Sequence, residues 1–192
     1  MTDNRINSAI DFAVNAHRGI YRKGTGLPYI FHPFEVAKIT TTMTDDEDII
    51  IAALLHDTLE DCQEVTPEMV EEQFGRRVLE LIEHETEDKR VGTDPSETWM
   101  VRKKETINAL SFSPIEAKII MLADKLANLR DIYFDERKCG EEVWNRFNEN
   151  DKNLHKWYYK NIIEGLSELA DQYAYSELNR YYELVFGEKH EK

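Results

Sequence analysis

The segment "IIIAALLHDTLED" (49–61) joins a fully apolar run to a group of ionisable side chains. Residues 49–55 are apolar on every side of a helix, so they predict a helix at the centre of the core. The polar residues that follow are His56, Asp57, Glu60 and Asp61. Because a helix advances about 100° per residue, a helix continuing through them places all four within an arc of roughly 140°. Burying unpaired carboxylates is costly, so this segment predicts a divalent metal.

The same segment also fits a solvated helix end or a capping cluster without a metal. A second core segment, "PIEAKIIMLADKLANLRDI" (114–132), favours the metal, because Asp124 and Asn128 lie four residues apart in apolar surroundings. His32 is a further candidate. It precedes a proline, so we expect extended backbone there, at the entrance to a helix. Taken alone, His32 fits a core or capping histidine better than a metal ligand.

Helical periodicity recurs along almost the whole chain, and no segment alternates as a half-buried strand does. The sequence therefore predicts an all-α fold, a helical bundle formed by one domain (1–192) whose carboxyl-terminal helical part is 136–192. The predicted helices before that part cover about 4–17, 33–43, 45–61, 67–75, 76–86, 96–110 and 114–132. We interpret the aromatic stripe near the carboxyl terminus as packing, with a homo-oligomer contact as the alternative: Tyr173, Tyr175, Tyr181, Tyr182 and Phe186.

Composition narrows the class of partner. The formal net charge of −14 argues against a nucleic-acid or anionic-membrane surface, which needs a broad basic patch. Two cysteines are too few for a disulfide framework, and polar residues interrupt any signal-peptide core at the amino terminus. No apolar run approaches the ~20 residues that span a bilayer. We therefore expect a cytoplasmic protein with a small-molecule partner.

Several blocks, in a fixed order along the chain, resemble a known family. "HP" at 32, "HDTLED" at 56 and "LADKLANLRDI" at 122 resemble the HD-domain metal-dependent phosphohydrolases. The stretches 16–39 and 85–90, with "RKK" at 102, are similar to the hydrolase domain of RelA/SpoT homologues, and above all to the small alarmone hydrolases. This resemblance implies metal-dependent removal of the 3′-pyrophosphate from ppGpp and pppGpp, giving GDP or GTP and pyrophosphate.

The resemblance also implies roles for individual residues. The implied metal ligands are His32, His56, Asp57 and Asp124. Such a mixed set of nitrogen and oxygen donors is more typical of a site for one Mn²⁺ ion than of a closed zinc site built from thiolates. Zinc, iron and magnesium stay open as alternatives. Glu60 and Asp61 resemble the catalytic acidic pair of the family, which can orient or deprotonate the attacking water.

The implied substrate-binding residues are Arg22, Lys23, Lys103 and Asn128. For the three cations the alternative is solvated surface charge, and for Asn128 it is a buried amide that caps nearby backbone. Neither His17 nor His84 receives a role. The basic loop "RKGTGLPY" (22–29) departs from the commoner "RKSGEPY", and Ala127 replaces a larger residue, so both changes bear on which base or ribose is bound.

Two other functions remain open at this stage. The same site could act on an adenosine alarmone, on the 2′-phosphate of NADPH or on a nucleoside monophosphate. Alternatively, the protein could bind alarmone or a protein partner without turnover, although a binding module needs neither Glu60 nor Asp61. We expect no alarmone synthetase activity, because only five residues follow residue 187.

Overall fold

The computed structural model describes residues 5–88, 90 and 92–188, and within these residues the regular elements are helices. The described residues contain no β-strand; a single antiparallel bridge joins Tyr21 to Pro28 in the loop before the second helix. The all-α prediction is confirmed. Within the same residues no helix is long and apolar enough to cross a bilayer.

The chain forms two compact units. The first contains Met1–Glu87 and Ser113–Ala123, and the second contains Asp88–Phe112 and Asp124–Lys192. The assignment of 1–192 to a single domain, with 136–192 as its carboxyl-terminal part, stays a prediction. Residues 1–4 and 189–192, at the ends of that predicted domain, lie outside the described residues.

The first unit is built around its third helix. The helices that lie wholly within it are α1 (Arg5–Ala16), α2 (Phe31–Thr40), α3 (Glu47–Leu55), α4 (Thr58–Asp61), α5 (Pro67–Phe74) and α6 (Arg76–Glu85). Helix α3 packs against α1, α2 and α6, and all of residues 49–55 are buried, which confirms the predicted core helix. Asp46 caps α3 by accepting a hydrogen bond of 3.0 Å from the Asp48 N–H. Gly75, with φ +95°, separates α5 from α6 at the predicted position.

The prediction of one helix running through Asp61 is wrong, because α3 ends at Leu55 and α4 begins at Thr58. Two side chains form hydrogen bonds with backbone carbonyl oxygens in the last turn of α3. His56 Nδ1 lies 2.8 Å from the Ala53 oxygen, and Thr58 Oγ1 donates to the Leu55 oxygen at 2.6 Å. In a continuing helix these carbonyls would accept backbone N–H groups, so the side chains compete with the helix and a turn forms.

The expectation of extended backbone at His32 is also wrong, because His32 is the second residue of α2. Pro33 therefore lies in the first turn of that helix, where a backbone N–H has no intrahelical acceptor and the absence of this group costs nothing. The His32 N–H instead donates to the Tyr29 oxygen at 2.9 Å, in the turn that leads into the helix.

The second unit contains α7 (Pro95–Leu110), α9 (Lys152–Gly165), α10 (Tyr173–Phe186), two short 3₁₀ helices (Gly140–Arg146 and Ser167–Leu169) and part of α8. Helix α8 (Ile115–Cys139) is continuous from the first unit into the second and extends beyond the predicted end at residue 132. Helix α9 packs against both α7 and α10.

An aromatic centre lies inside the second unit and consists of Trp99, Trp144, Phe147 and His155. The three aromatic rings lie with their centroids 5.1–5.2 Å from the His155 ring. His155 Nε2 lies 2.8 Å from the Glu149 carbonyl oxygen and therefore donates its proton to it. In the carboxyl-terminal stripe, Tyr181 and Phe186 are buried as predicted, whereas Tyr173 is 73% exposed and is not a packing residue.

Candidate active site

Three predicted ligands converge in the first unit. Helix α2 carries His32, and the turn after α3 carries His56 and Asp57. Asp57 Oδ2 lies 3.1 Å from His56 Nε2 and 3.5 Å from His32 Nε2. The two imidazole rings are buried, with centroids 5.2 Å apart. We call these three residues the polar centre.

The backbone fixes the tautomer of His56. Because a carbonyl oxygen only accepts hydrogen bonds, the contact of His56 Nδ1 with the Ala53 oxygen places the proton on Nδ1. The lone pair of a neutral ring is then on Nε2, the nitrogen that faces the Asp57 carboxylate. Histidine ligands of metals are commonly oriented by such a bond from their other nitrogen to a backbone carbonyl. The contact that ends α3 therefore also prepares the imidazole as a ligand.

Asp124 lies on α8, directly after the last residue of the first unit. Its carboxylate accepts hydrogen bonds from Asn128 Nδ2 at 2.6 Å and from Lys125 Nζ at 2.5 Å. Burial alone would lower the pKa of Lys125, but the negative charge of Asp124 holds that pKa well above its usual value. Lys125 is therefore a permanent cation beside this carboxylate.

His32, His56 and Asp124 are all buried, and they offer two imidazoles and a carboxylate as potential metal ligands. The Asp57 oxygen lies at similar distances from the two histidine nitrogens. Imidazole nitrogens combined with carboxylate oxygens form a donor set that fits a divalent cation, whereas a site for a softer metal would need thiolates. By this chemical criterion the residues present suit a divalent metal ion.

The predicted acidic pair lies on the short helix α4, and both side chains are partly buried. Glu60 Oε2 accepts a hydrogen bond of 3.3 Å from the Glu87 backbone N–H. The Asp61 backbone N–H donates to the Asp57 backbone carbonyl oxygen at 2.8 Å, and this hydrogen bond closes the first turn of α4. The family-like segment 85–90 therefore supports Glu60 through its backbone, a role that its sequence did not reveal. Lys89 of this segment lies outside the described residues.

Tyr29 contacts the polar centre although sequence reasoning gave it no role. Its hydroxyl donates to Asp57 Oδ2 at 2.7 Å. Burial and the negative charges of Asp57 and Asp61 raise the pKa of Tyr29 far above its usual value, so the hydroxyl keeps its proton. The only sequence signal for this residue was its place in "PYIFHP", three positions before His32.

The basic loop is a tight hairpin beside Tyr29. The Arg22 N–H donates to the Leu27 oxygen at 2.8 Å, and the Tyr29 N–H donates to the Ile20 oxygen at 2.9 Å. The Arg22 guanidinium lies 5.6 Å from the centroid of the Tyr29 ring. Lys23, the second predicted cation, is exposed.

His17 received no role from the sequence, yet it packs against this tyrosine. Its ring stacks on Tyr29 with centroids 5.2 Å apart and planes 19° from parallel. Its Nδ1 lies 3.0 Å from the Ala13 oxygen. Burial lowers the pKa of His17 below its usual value, which favours the neutral ring. His84, the other histidine without a predicted role, is exposed.

The two remaining predicted residues belong to the second unit. Lys103 Nζ lies 4.9 Å from the centroid of the Tyr158 ring. Asn128 donates its amide proton to the Asp124 carboxylate, a contact between two side chains and not a backbone cap. Their contacts with a nucleotide stay predictions.

Comparisons with known proteins agree with this architecture. The family model described as "HD domain" matches residues 9–148. A human protein named guanosine-3′,5′-bis(diphosphate) 3′-pyrophosphohydrolase MESH1 is 42% identical over 143 residues, which are 73% of this chain and 74% of that protein. An Aquifex aeolicus protein with the same enzymatic name is 34% identical over 176 residues, covering 90% of this chain and 24% of its own length.

Solved structures show the same similarity. One, described as a metazoan ortholog of SpoT that hydrolyzes ppGpp, superposes with a TM-score of 0.76 at 25% identity and covers 98% of this chain and 99% of its own. A Listeria monocytogenes protein superposes with a TM-score of 0.70 at 30% identity, over 82% of this chain and 99% of its own.

Proposed function

The chain belongs to the HD domain family, and from this premise we propose that it removes the 3′-pyrophosphate from ppGpp and pppGpp. The products are GDP or GTP and pyrophosphate. The observation that carries this function is the alignment with named ppGpp pyrophosphohydrolases over about three quarters of both chains. The residues that the family model matches, 9–148, include the polar centre and the acidic pair, so the family similarity covers the residues on which the chemistry depends.

Hydrolases of this family work with a divalent metal, and we assign its ligands to His32, His56, Asp57 and Asp124. We propose Mn²⁺, because two imidazoles and two carboxylates offer the mixed donors that this ion accepts. A divalent ion bound by these residues supplies Lewis acidity, which polarises a phosphate oxygen and lowers the pKa of a bound water.

Glu60 and Asp61 carry the proton transfers in this proposal. One carboxylate orients the attacking water and accepts its proton while the new oxygen–phosphorus bond forms. The bond between phosphorus and the 3′ oxygen breaks, and the protonated carboxyl group of the pair donates a proton to the leaving 3′ oxygen. The hydrogen bond from the Glu87 N–H to Glu60 Oε2 supports a role for Glu60 in proton transfer, because it restrains one oxygen of this carboxylate.

Arg22 and Lys23 supply positive charge for the substrate in a protein whose net charge is −14. Arg22 is held over the Tyr29 ring, which supports its assignment more directly than that of the exposed Lys23. We assign Lys103 to the pyrophosphate. We assign Asn128 to the nucleotide through its amide oxygen, because its amide nitrogen already donates to Asp124.

We further propose that the protein works in the cytoplasm on a small nucleotide and binds neither nucleic acid nor membrane. Cys62 and Cys139 are both free thiols, as a reducing compartment would keep them. The acidic net charge supports the absence of a nucleic-acid partner.

Product analysis tests the function directly. Purified protein is incubated with Mn²⁺ and, separately, with ppGpp, ppApp, NADPH and GMP. We expect GDP and pyrophosphate from ppGpp, and no product once a chelator has removed the metal. Faster turnover of NADPH or GMP than of ppGpp would contradict the guanosine alarmone as substrate, whereas metal-independent turnover would contradict the assigned chemistry.

A further inference from the structure

Tyr29 connects two parts of the site that the proposed function treats separately. Its hydroxyl contacts Asp57, and its ring lies beneath the guanidinium of Arg22. We propose that Tyr29 is a positioning residue whose hydroxyl orients the Asp57 carboxylate for the metal and whose ring orients Arg22 for the substrate. This inference rests on the proposed function, because it takes Asp57 as a ligand and Arg22 as a phosphate contact.

The Tyr29 hydroxyl contacts the Asp57 oxygen that faces both histidines of the polar centre. Tyr29 donates to Asp57 Oδ2, and the same oxygen lies 3.1 Å and 3.5 Å from the two histidine nitrogens of the polar centre. A bond at 2.7 Å to a charged acceptor is strong and directional, so it restrains the rotation of the carboxylate. Partners of this kind behind a ligand typically change metal affinity by about 10–100-fold.

The ring is held independently of its hydroxyl. His17 stacks on it, the His32 ring lies at 66° to it with the centroids 5.7 Å apart, and the Tyr29 backbone N–H donates to the Ile20 oxygen. His17 is itself tethered to Ala13. Removing only the hydroxyl should therefore leave the ring in place, which makes the two effects of Tyr29 experimentally separable.

The ring acts on the substrate side through Arg22. A guanidinium 5.6 Å from an aromatic centroid is attracted to the ring, and the attraction is stronger where water is excluded. The hairpin bonds of Arg22 and Tyr29 fix the two backbones relative to each other. The ring consequently limits the conformations of Arg22 before any phosphate arrives.

Three variants separate these effects: Tyr29→Phe removes the hydroxyl, Tyr29→Leu removes the ring as well, and Tyr21→Phe is the matched control. Tyr21 lies in the same hairpin and is 60% exposed. The dissociation constant for Mn²⁺ is measured by calorimetry on metal-free protein, and kcat and KM for ppGpp are measured at saturating Mn²⁺.

We expect Tyr29→Phe to bind Mn²⁺ about 10-fold more weakly or worse, with KM for ppGpp within about twofold of the wild-type value once metal is saturating. Tyr29→Leu should show the same loss of metal affinity and, in addition, a KM raised several-fold. Tyr21→Phe should match the wild type in both quantities. Wild-type Mn²⁺ affinity in Tyr29→Phe, even with a lowered melting temperature, would overturn the inference, because only a structural role would remain.

Failure of this inference is distinguishable from failure of the proposed function. If the wild type binds Mn²⁺ but does not hydrolyse ppGpp, the function fails, and the Mn²⁺ affinity of Tyr29→Phe still decides the role of the hydroxyl. If the wild type binds no Mn²⁺, both are overturned. If Tyr29→Leu keeps the wild-type KM, the ring has no effect on Arg22 and the substrate half of the inference is wrong.

Discussion

The polar centre of the first unit and the aromatic centre of the second unit each contain a buried histidine tied to a backbone carbonyl. His56 donates from Nδ1 to Ala53, and His155 donates from Nε2 to Glu149. The surroundings then differ: His56 presents its other nitrogen to the Asp57 carboxylate, whereas aromatic rings surround His155. Burial therefore does not by itself distinguish a functional histidine. The group that faces its second nitrogen does.

The two centres also place opposite demands on their environment. A carboxylate that is shielded from water requires a compensating cation, so in our proposal the polar centre, with Asp57, depends on a metal. The aromatic centre gains stability from apolar burial and ring packing, and it contains no carboxylate that a metal would satisfy. Substitutions in the two regions should consequently affect different measured quantities, and the following predictions test that separation.

The largest effect is expected at the ligands. His56→Ala or Asp57→Ala should abolish Mn²⁺ binding and lower kcat/KM by about 10³-fold or more, because Lewis acidity is lost together with the oriented water. His155→Ala is the matched variant: it should retain Mn²⁺ affinity and activity and lose only stability, by about 1–3 kcal/mol. Metal analysis, kinetics and denaturant titration measure these quantities. Full activity with bound metal in Asp57→Ala would remove the distinction between the two centres.

The next effect separates proton transfer from metal binding within the first unit. Glu60→Gln and Asp61→Asn should each lower kcat by about 10²-fold or more while leaving metal content and fold unchanged, since an amide cannot accept the proton of water. Single-turnover kinetics and metal analysis on the same preparations give both values. If metal content falls with activity, these carboxylates are ligands and the polar centre is larger than proposed.

A smaller effect is expected from the substrate cations. Arg22→Ala should raise KM for ppGpp with little change in Mn²⁺ affinity, because a charge-assisted contact worth roughly 1.5–3 kcal/mol disappears, equivalent to about 10–150-fold. Lys23→Ala should act in the same direction. Lys160→Ala, which removes an exposed positive charge from α9, is the control for net charge. An equal rise of KM in all three variants would mean that overall charge, rather than the hairpin, governs binding.

The smallest effect concerns pH. Burial lowers the pKa of His155 below its usual value of 6.5. Between the two pKa values the ring is therefore protonated in the unfolded chain and neutral in the folded protein. The free energy of unfolding should then fall as pH drops below about 6.5, by at most about 1.4 kcal/mol per pH unit for this group, until the folded pKa is reached. Denaturant titrations of metal-free protein between pH 7 and pH 5 measure the slope.

His155→Phe should flatten this pH dependence. The buried His17 has a lowered pKa for the same reason and contributes a slope of the same sign, so part of the dependence should persist in His155→Phe. An unchanged slope in His155→Phe would show that this ring does not take part in the acid sensitivity.

The sequence predicted what depends on local pattern. The core position of α3 follows from seven consecutive apolar residues, 49–55, and the break at Gly75 follows from a residue that accepts positive φ. The end of α3 was missed, because it depends on hydrogen bonds that His56 and Thr58 make to carbonyls three residues earlier. Periodicity carries no information about such competition.

Within the candidate site, the sequence suggested side-chain identities but not their connections. Tyr29 reaches Asp57 across 28 positions of the chain, and Glu87 supports Glu60 across 27. Contacts of this range depend on how helices pack, which no local spacing reports. The metal, catalytic and substrate roles of the individual residues stay predictions until the variants above are measured.

The turn that ends α3 has an evolutionary consequence. His56 and Thr58 shape the backbone of that turn, so their replacement disturbs folding whether or not the protein catalyses a reaction. Asp61 donates its main-chain N–H to the turn, a contact that any residue except proline can supply. In a lineage that abandons hydrolysis, mutational drift should therefore erase Asp61 early and His56 late. Inactive descendants would continue to carry a histidine that resembles a catalytic relic but survives as part of the scaffold.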